Sequence, residues 1–230
     1  MSKPLAKIMN QSIKTGIFPR KLKQAKITAI YKTGDELECG NYRAILLLPD
    51  TNRLFEKLMF NRVKAFITKH DILCSSQYGF RQNHSTENAL LDIVSKIRTY
   101  MDKNLFSRGI FIDLQKVFAT VDHEILLYKL NHYGIQGIAN NWFDSYLTER
   151  YQTTQIGTKF SIKERVICGV PQGSVLGPLL FVFYINDIQT SSAKFDFFLF
   201  ADDTNLLLGV LIDNNFSWKH HIDYIALKSK

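Results

Sequence analysis

Two adjacent aspartates, Asp202 and Asp203, lie between two apolar runs of the chain, residues 197–201 and 206–208. Two strand-like segments separated by so few residues favour a β-hairpin with the acidic pair at its turn. A carboxylate held where water is scarce costs free energy unless a cation compensates it. The pattern therefore predicts a hairpin whose turn binds a cation, most naturally a divalent metal. A plain turn is the other interpretation, because aspartate is favoured in turns anyway.

A third carboxylate, Asp113, ends another apolar run at residues 109–112. Three carboxylates that converge from separate strands can hold two Mg²⁺ ions roughly 3.5–4 Å apart, the geometry used for phosphoryl and nucleotidyl transfer. Side chains alternate between the faces of a strand, so Asp202 and Asp203 cannot both point the same way. We expect Asp202 to be the primary ligand and Asp203 the accessory one.

Two further segments suggest nucleotide contacts. Residues 169–180 are rich in glycine and proline, which permit close backbone approach to a flat or charged ligand, and Gln172 offers an amide that could read a base or sugar. A tight loop that leads into a core helix explains this segment equally well. Lys32 and Arg43 could bind a triphosphate, although each of them, considered alone, is also explained as an ordinary surface charge.

The pattern of apolar residues predicts helices mixed with hairpin-connected strands, which indicates an α+β fold. Apolar residues at helical spacing, among them Leu90, Leu91, Ile93, Val94 and Ile97, predict one of the long helices. The predicted helices are residues 5–14, 53–68, 86–101, 123–132, 138–147 and 178–185. The predicted strands are residues 25–31, 110–113, 152–156 and 165–167, with 110–113 expected to be buried, and the two arms of the acidic hairpin.

Composition narrows the classes of function. The chain has 230 residues, is 46% hydrophobic and carries a formal net charge of +8, enough for one large domain or two lobes and suited to a polyanionic partner. A solvated basic surface is the alternative. Three widely spaced cysteines form neither a disulfide framework nor a zinc motif, which predicts an intracellular location, in nucleus or cytoplasm. No apolar run approaches the length of a membrane span.

The segments above occur together with further motifs in a fixed order over nearly the whole chain. In that order they resemble the reverse transcriptase domain of non-LTR (LINE-like) retrotransposons. The matching segments are Gly16-Ile17-Phe18-Pro19, Asn41-Tyr42-Arg43, Gln77-Tyr78-Gly79-Phe80-Arg81, Phe111-Ile112-Asp113-Leu114, Val121-Asp122-His123, the glycine-rich run, Tyr184-Ile185-Asn186-Asp187 and Phe200-Ala201-Asp202-Asp203.

The resemblance implies an RNA-directed DNA polymerase with RNA template, DNA primer and dNTP as partners and two Mg²⁺ ions, or Mn²⁺, as cofactors. It implies a fingers-and-palm fold with an antiparallel palm sheet, with the fingers at about 1–107 and the palm at about 108–208. In departure from the family, we expect the thumb to be absent and residues 209–230 to be a displaced downstream remnant. No membrane partner is expected, and the sequence leaves the oligomeric state open.

The resemblance also implies roles for individual residues. Asp113, Asp202 and Asp203 match the catalytic, metal-binding aspartates. Phe118 matches the bulky residue that screens the sugar 2′-OH. The remaining residues implied to contact the incoming nucleotide are Lys32, Arg43, Gln172 and Gly173.

The chain departs from the family pattern at three places. Ala119 stands where the family usually has aspartate, and Ala44 where it has proline. A segment that helps hold the primer end is missing between Leu208 and Gly209. We therefore expect nucleic-acid binding to outlast catalysis. The alternatives are a catalytically inactive remnant that still binds nucleic acid and a structural or interaction protein with no nucleic-acid role.

Overall fold

The computed structural model describes residues 3–81, 83–113 and 117–211, with the side chains of residues 43 and 44 also outside the description. Within these ranges the chain forms helices and two β-sheets, so the expected α+β class is confirmed. The helices are α1 (Lys3–Thr15), α2 (Asp50–His70), α3 (Thr86–Asp102), α4 (Val117–Thr120), α5 (His123–His132), α6 (Ile138–Leu147) and α7 (Gly177–Ile185). Short 3-10 helices span Arg20–Lys23, Cys39–Asn41 and Ile188–Ser191. The strands are β1 (Gln24–Tyr31), β2 (Tyr42–Leu47), β3 (Phe106–Ile112), β4 (Arg150–Ile156), β5 (Lys159–Phe160), β6 (Glu164–Val166), β7 (Asp196–Phe200) and β8 (Asp203–Val210).

The described residues fall into two compact units, each built from two separate stretches of chain. One is drawn from Met1–Ile72 and Lys116–Tyr184, and the other from Leu73–Gln115 and Ile185–Lys230. We call the first the helical unit, since it holds all the described helices except α3 and one 3-10 helix, and the second the hairpin unit, since it holds β7 and β8. The division into fingers and palm remains a prediction, and residues 212–230 of the predicted remnant lie outside the description.

The helical unit contains a five-stranded sheet in the order β2-β1-β4-β5, with β6 also paired to β4. β1 runs antiparallel to β2 and parallel to β4. Beside it, Phe18 packs edge-on against Trp142 and Tyr146, whose rings stack on each other. These side chains are almost completely buried, and such aromatic packing supplies much of the apolar area that stabilises a small core.

The hairpin unit contains an antiparallel sheet in the order β3-β8-β7. Helix α3 begins at Ser85, whose hydroxyl accepts a hydrogen bond from the Asn88 amide, and packs on β3 and β7. The core of this unit consists of Tyr78, Ala89, Tyr100, Phe198 and Leu207. Ile93 and Ile97 pack on that core as the apolar spacing of α3 predicts.

One expectation about burial is wrong. Residues 110–113 do not form a buried strand: β3 is an edge strand, and the Phe111 side chain is 74% exposed. Leu90 and Leu91, which helped to predict α3, lie on its exposed side. Both findings have one cause. An apolar run indicates only that a segment is suited to burial. Whether the segment is buried depends on other parts of the chain, because they supply the residues that would cover it.

Strand β8 runs without a break through Leu208 and Gly209, where the sequence indicates a missing segment. Leu208 pairs with Arg108 and Gly209 pairs with Ser107. A Cβ on Gly209 would lie 2.6 Å from a ring carbon of Tyr100, so glycine is needed for α3 to pack this closely on the strand.

Candidate active site

The acidic pair lies at the tight turn between β7 and β8, as expected. Phe200 pairs with Asp203, which leaves Ala201 and Asp202 as the two loop residues. Ala201 has a φ of 58° and Asp202 has no positive φ, the pattern of a type II′ turn. Glycine normally occupies that first loop position, because a Cβ is strained there. A non-glycine residue at positive φ persists only where its surroundings hold it.

The β3–β8 register brings the third aspartate to the same end of the sheet. The last pair of the ladder is Ile112 with Thr204. Asp113 directly follows Ile112 and Asp203 directly precedes Thr204, so both aspartates lie just beyond the last pair of that ladder. The sheet thus gathers all three predicted aspartates at one end of the hairpin unit.

Exposure differs among the three aspartates: Asp113 and Asp203 are exposed, and Asp202 is half-buried. Carboxylate oxygens are the hard ligands that Mg²⁺ prefers, so the donor chemistry fits a divalent ion. Their side chains are not drawn together into a ligand cluster. In the described part of the chain, no three His, Cys, Asp or Glu side chains form a group that could hold a metal ion.

A buried segment, residues 76–79, supports the acidic turn. It runs beside β7, where the Tyr78 amide donates to the Leu199 carbonyl and the Leu199 amide donates to the Ser76 carbonyl, both at 2.8 Å. Gln77, only 1% exposed, accepts hydrogen bonds through Oε1 from the amides of Gly79 at 2.8 Å and Ala201 at 3.2 Å. The sequence predicted no role for this glutamine.

The glycine-rich loop begins against the segment that holds Phe118. The Val170 amide donates to the Phe118 carbonyl, and the Gly169 amide to the Val121 carbonyl, both at 2.7 Å. A Cβ on Gly169 would lie 2.7 Å from the Ala119 carbonyl oxygen, so this close approach requires glycine. Phe118 also packs against Phe181 of α7, with 4.9 Å between ring centroids. Phe118 and the loop are therefore fixed relative to each other.

The other end of the loop is held by Glu56, a fully buried residue of α2. Its Oε2 accepts a 2.7 Å hydrogen bond from the Val175 amide. Its Oε1 accepts from the Tyr146 hydroxyl at 2.7 Å and from Asn52 Nδ2 at 2.8 Å. Burial raises the pKa of the Tyr146 phenol well above its usual range, and the Glu56 carboxylate adds to this, so the phenol remains a donor.

Between these anchors, the tip of the loop projects into solvent. Gln172 and Gly173 are both exposed, and Gly173 has a φ of 88° that favours glycine. Beside the tip lies a cavity of about 380 Å³ whose lining includes Leu46, Ala119 and Gln172. The cavity has the size of a small-ligand site and a mostly apolar wall with an amide at its edge.

Lys32 and Arg43 belong to the sheet of the helical unit. Lys32 directly follows β1 and is exposed, while Arg43 pairs with Ile30 in β2. Lys32 does not line the cavity beside Gln172. The structure therefore joins Phe118, Gln172 and Gly173 locally, and it gathers the three aspartates in the other unit.

Glu56 and Gln77 are the residues that sequence reasoning missed. Glu56 left a signal: it stands at helical spacing with Met59 and Val63 on the buried stripe of α2, where a charge is unusual. Gln77 gave no comparable signal. It lies in one of the motifs that carry the resemblance, but a polar residue in a loop is common and does not by itself indicate a role.

A solved structure shares the fold. The described structure resembles that of apo telomerase from Candida tropicalis, truncated of its C-terminal domain, with a TM-score of 0.58 and 13% identity over 91% of this chain and 47% of that one. At this identity the likeness shows the fold alone.

The family follows from the sequence comparisons. Residues 30–214 match the family model for reverse transcriptase (RNA-dependent DNA polymerase), so this chain belongs to the reverse transcriptase family. It is 33% identical, over 91% of its length, to the probable RNA-directed DNA polymerase from transposon BS of Drosophila melanogaster. It is equally identical, over the same share, to the RNA-directed DNA polymerase from mobile element jockey of that species. These matches confirm the resemblance to non-LTR retrotransposons. The chain spans 23% and 22% of those two relatives.

Proposed function

We propose that this chain is an RNA-directed DNA polymerase domain that adds dNTPs to a DNA primer on an RNA template. The observation that carries the proposal is that the end of β3, which Asp113 follows, and the Asp202-Asp203 turn lie at the same end of the β3-β8-β7 sheet. Membership of the reverse transcriptase family supports the same reaction. Carboxylates presented at one end of a sheet suit the binding of divalent ions, and such ions neutralise the negative charge that develops on phosphate oxygens.

Asp113, Asp202 and Asp203 would hold the divalent ions, with Mg²⁺ as the expected metal. When bound, such ions lower the pKa of the primer 3′-hydroxyl and stabilise the negative charge on the triphosphate. The protein fixes the carboxylates through the ladder on one side and the tight turn on the other. Asp202, at the tip of the turn, is the proposed primary ligand, and Asp203, the first residue of β8, is the accessory one.

The loop residues would position the nucleotide. Gln172 and Gly173 present an amide and bare backbone beside the cavity, which suits a flat base or a sugar. Phe118 is the proposed screen against a 2′-hydroxyl, held by its backbone link to Val170 and by the Phe181 ring. Lys32 and Arg43 are proposed to bind the triphosphate by charge.

A basic face of the five-stranded sheet supports nucleic-acid binding. The register places Lys26, Tyr151, Phe160 and Arg165 on this face, which we call the basic sheet face. The Lys26 amine lies 5.5 Å from the Phe160 ring centroid, and the Lys163 amine 4.6 Å from that of Tyr151. Amines interleaved with half-exposed or exposed rings suit phosphates and unpaired bases, and binding of this kind is insensitive to sequence.

No described helix is long and apolar enough to cross a membrane. We also propose an intracellular location, supported by three cysteines that are free in the structure.

Primer extension on an RNA template with Mg²⁺ or Mn²⁺ tests the proposal. Extension by the purified chain that disappears in Asp202→Asn supports it, and extension that persists in that variant contradicts it. Binding of RNA without extension by the wild-type chain would instead favour the inactive remnant, the interpretation that Ala119 supports. Failure to bind RNA or DNA even at low salt would indicate a protein with no nucleic-acid role.

A further inference from the structure

We propose that Gln77 is a positioning residue for the acidic turn, because it supplies the hydrogen bond that holds Ala201 in its strained conformation. This inference rests on the proposed function of Asp202 and Asp203. All the residues that carry it belong to the hairpin unit.

The first step concerns the backbone amide of Ala201. In a two-residue hairpin the closing pair makes the ladder contacts, and the loop amides need other partners. The Ala201 amide is buried together with its residue, which is 9% exposed. It donates to Gln77 Oε1 at 3.2 Å, so Gln77 replaces the water that an exposed turn would use.

The second step concerns how Gln77 itself is held. Gln77 pairs with Leu199 in an isolated parallel bridge, and the amides of Tyr78 and Leu199 donate across it. The Gly79 amide donates to the same Oε1 at 2.8 Å. The backbone bridge to Leu199 therefore fixes the position of Gln77, and its Oε1 accepts hydrogen bonds from two amides, those of Gly79 and Ala201.

The third step concerns the space between the two segments. A Cβ on Gly79 would lie 2.1 Å from the Ala201 nitrogen and 2.8 Å from its Cα. Such close approach of two backbones leaves no room for the turn to shift toward residue 79. Gln77 and Gly79 thus restrain the turn from one side, and Asp202 follows directly after the restrained residue.

Holding this turn matters for the proposed chemistry. A displacement of about 1 Å in a reacting group can lower a rate on the order of 100-fold. Loss of the Gln77 acceptor leaves two buried amides unpaired, and the strained Ala201 conformation loses the contact that holds it. The turn is then expected to relax, which moves the Asp202 carboxylate.

The test compares Gln77→Met, which keeps the side-chain length without an acceptor, with Gln77→Glu, which keeps an acceptor oxygen. Tyr78→Phe is the matched control, since it removes a hydrogen bond to Asp92 from the next residue and leaves the turn untouched. Hydrogen exchange of the Ala201 amide is measured alongside kcat and the KM for dNTP.

We expect Gln77→Met to speed exchange at Ala201 by ~10-fold and to lower kcat by ~10–100-fold with little change in KM. Gln77→Glu is expected to keep Ala201 protected, and Tyr78→Phe to leave both readouts as in the wild type. Unchanged exchange at Ala201 in Gln77→Met would overturn the proposal, as would equal losses of kcat in Gln77→Met and Tyr78→Phe. Exchange needs no activity, so a wild-type chain that fails to extend primers would refute the proposed function and leave this test intact.

Discussion

Asp113 and Asp203 lie directly beyond Ile112 and Thr204, the last pair that joins β3 to β8. These two aspartates are separated in sequence chiefly by residues 116–184 of the helical unit, yet the antiparallel register places them at the same end of one sheet. The relationship depends on the register alone, since a slip of one residue would turn every side chain of β3 to the other face.

Replacement of any of the three aspartates by asparagine is expected to lower primer extension on the order of 100-fold or more, because a neutral amide is a poor ligand for a divalent ion. Nucleic-acid binding should be retained. Rates of single-nucleotide addition measure the effect. Asp102→Asn, an exposed aspartate at the end of α3, is the control and should behave as the wild type.

Glu56→Ala is expected to lower the free energy of unfolding by about 3–5 kcal/mol, because the amide of Val175, the Tyr146 hydroxyl and Asn52 lose a buried acceptor. Glu56→Gln keeps the side-chain volume, but its NH₂ group cannot accept a hydrogen bond, so at least one of these three donors loses its acceptor. That variant should fold and bind dNTP more weakly, since the loop around Gln172 is released. Denaturant unfolding and the KM for dNTP separate the two effects, with Glu124→Gln on α5 as an exposed control. Wild-type KM in Glu56→Gln would show that this anchor is dispensable.

Stability is expected to fall at alkaline pH through buried tyrosines. Burial, together with the hydrogen bond to Asp92, raises the pKa of Tyr78 to about 12. A phenol whose pKa is raised on folding stabilises the folded state fully below pH 10, its unfolded value, and this contribution is lost as the pH rises from 10 through 12. The free energy of unfolding, measured between pH 8 and pH 12, should show a shallower decline in Tyr78→Phe. Identical slopes for both proteins would contradict the assignment.

The double variant Lys26→Gln, Lys163→Gln is expected to bind single-stranded RNA more weakly and with a weaker salt dependence. The slope of log K against log salt should fall by up to about 1.4, about 0.7 for each lysine that contacts a phosphate. Each lysine on the basic sheet face would otherwise release a counterion on binding. The matched control is the double variant Lys64→Gln, Lys69→Gln on α2, which has the same net charge as the first double variant. Equal losses in both double variants would mean that only net charge matters.

Primer extension by the wild-type chain is expected to be slow, while RNA binding remains. Ala119 stands where the resemblance to the family predicts aspartate, and a segment that would help hold the primer end is predicted to be missing between Leu208 and Gly209. Extension rates and binding constants measured on one primer-template pair test this. Robust extension that Asp202→Asn abolishes would contradict the prediction and show that this chain extends primers without that segment.

Local patterns in the sequence predicted the hairpin and all the described α-helices except the four-residue α4. α5 and α6 have the predicted bounds, and β7 and β8 flank the acidic turn, because spacing of apolar residues and turn chemistry act over a few residues. The resemblance to reverse transcriptases was also readable, since it rests on ordered short motifs.

The sequence by itself determined the family and most of the helices and strands, although it missed α4, β2 and β5. It also supplied the aspartates, the glycine and the glutamine that are predicted for the candidate site. Only the tertiary structure decided that β3 is an exposed edge strand, that Glu56 holds the glycine-rich loop and that Gln77 holds the Ala201 amide. These facts join residues up to 124 positions apart. Local propensity carries no information about such pairs, because the partner of a buried carboxylate or amide is chosen by packing and by the need to satisfy every buried polar group.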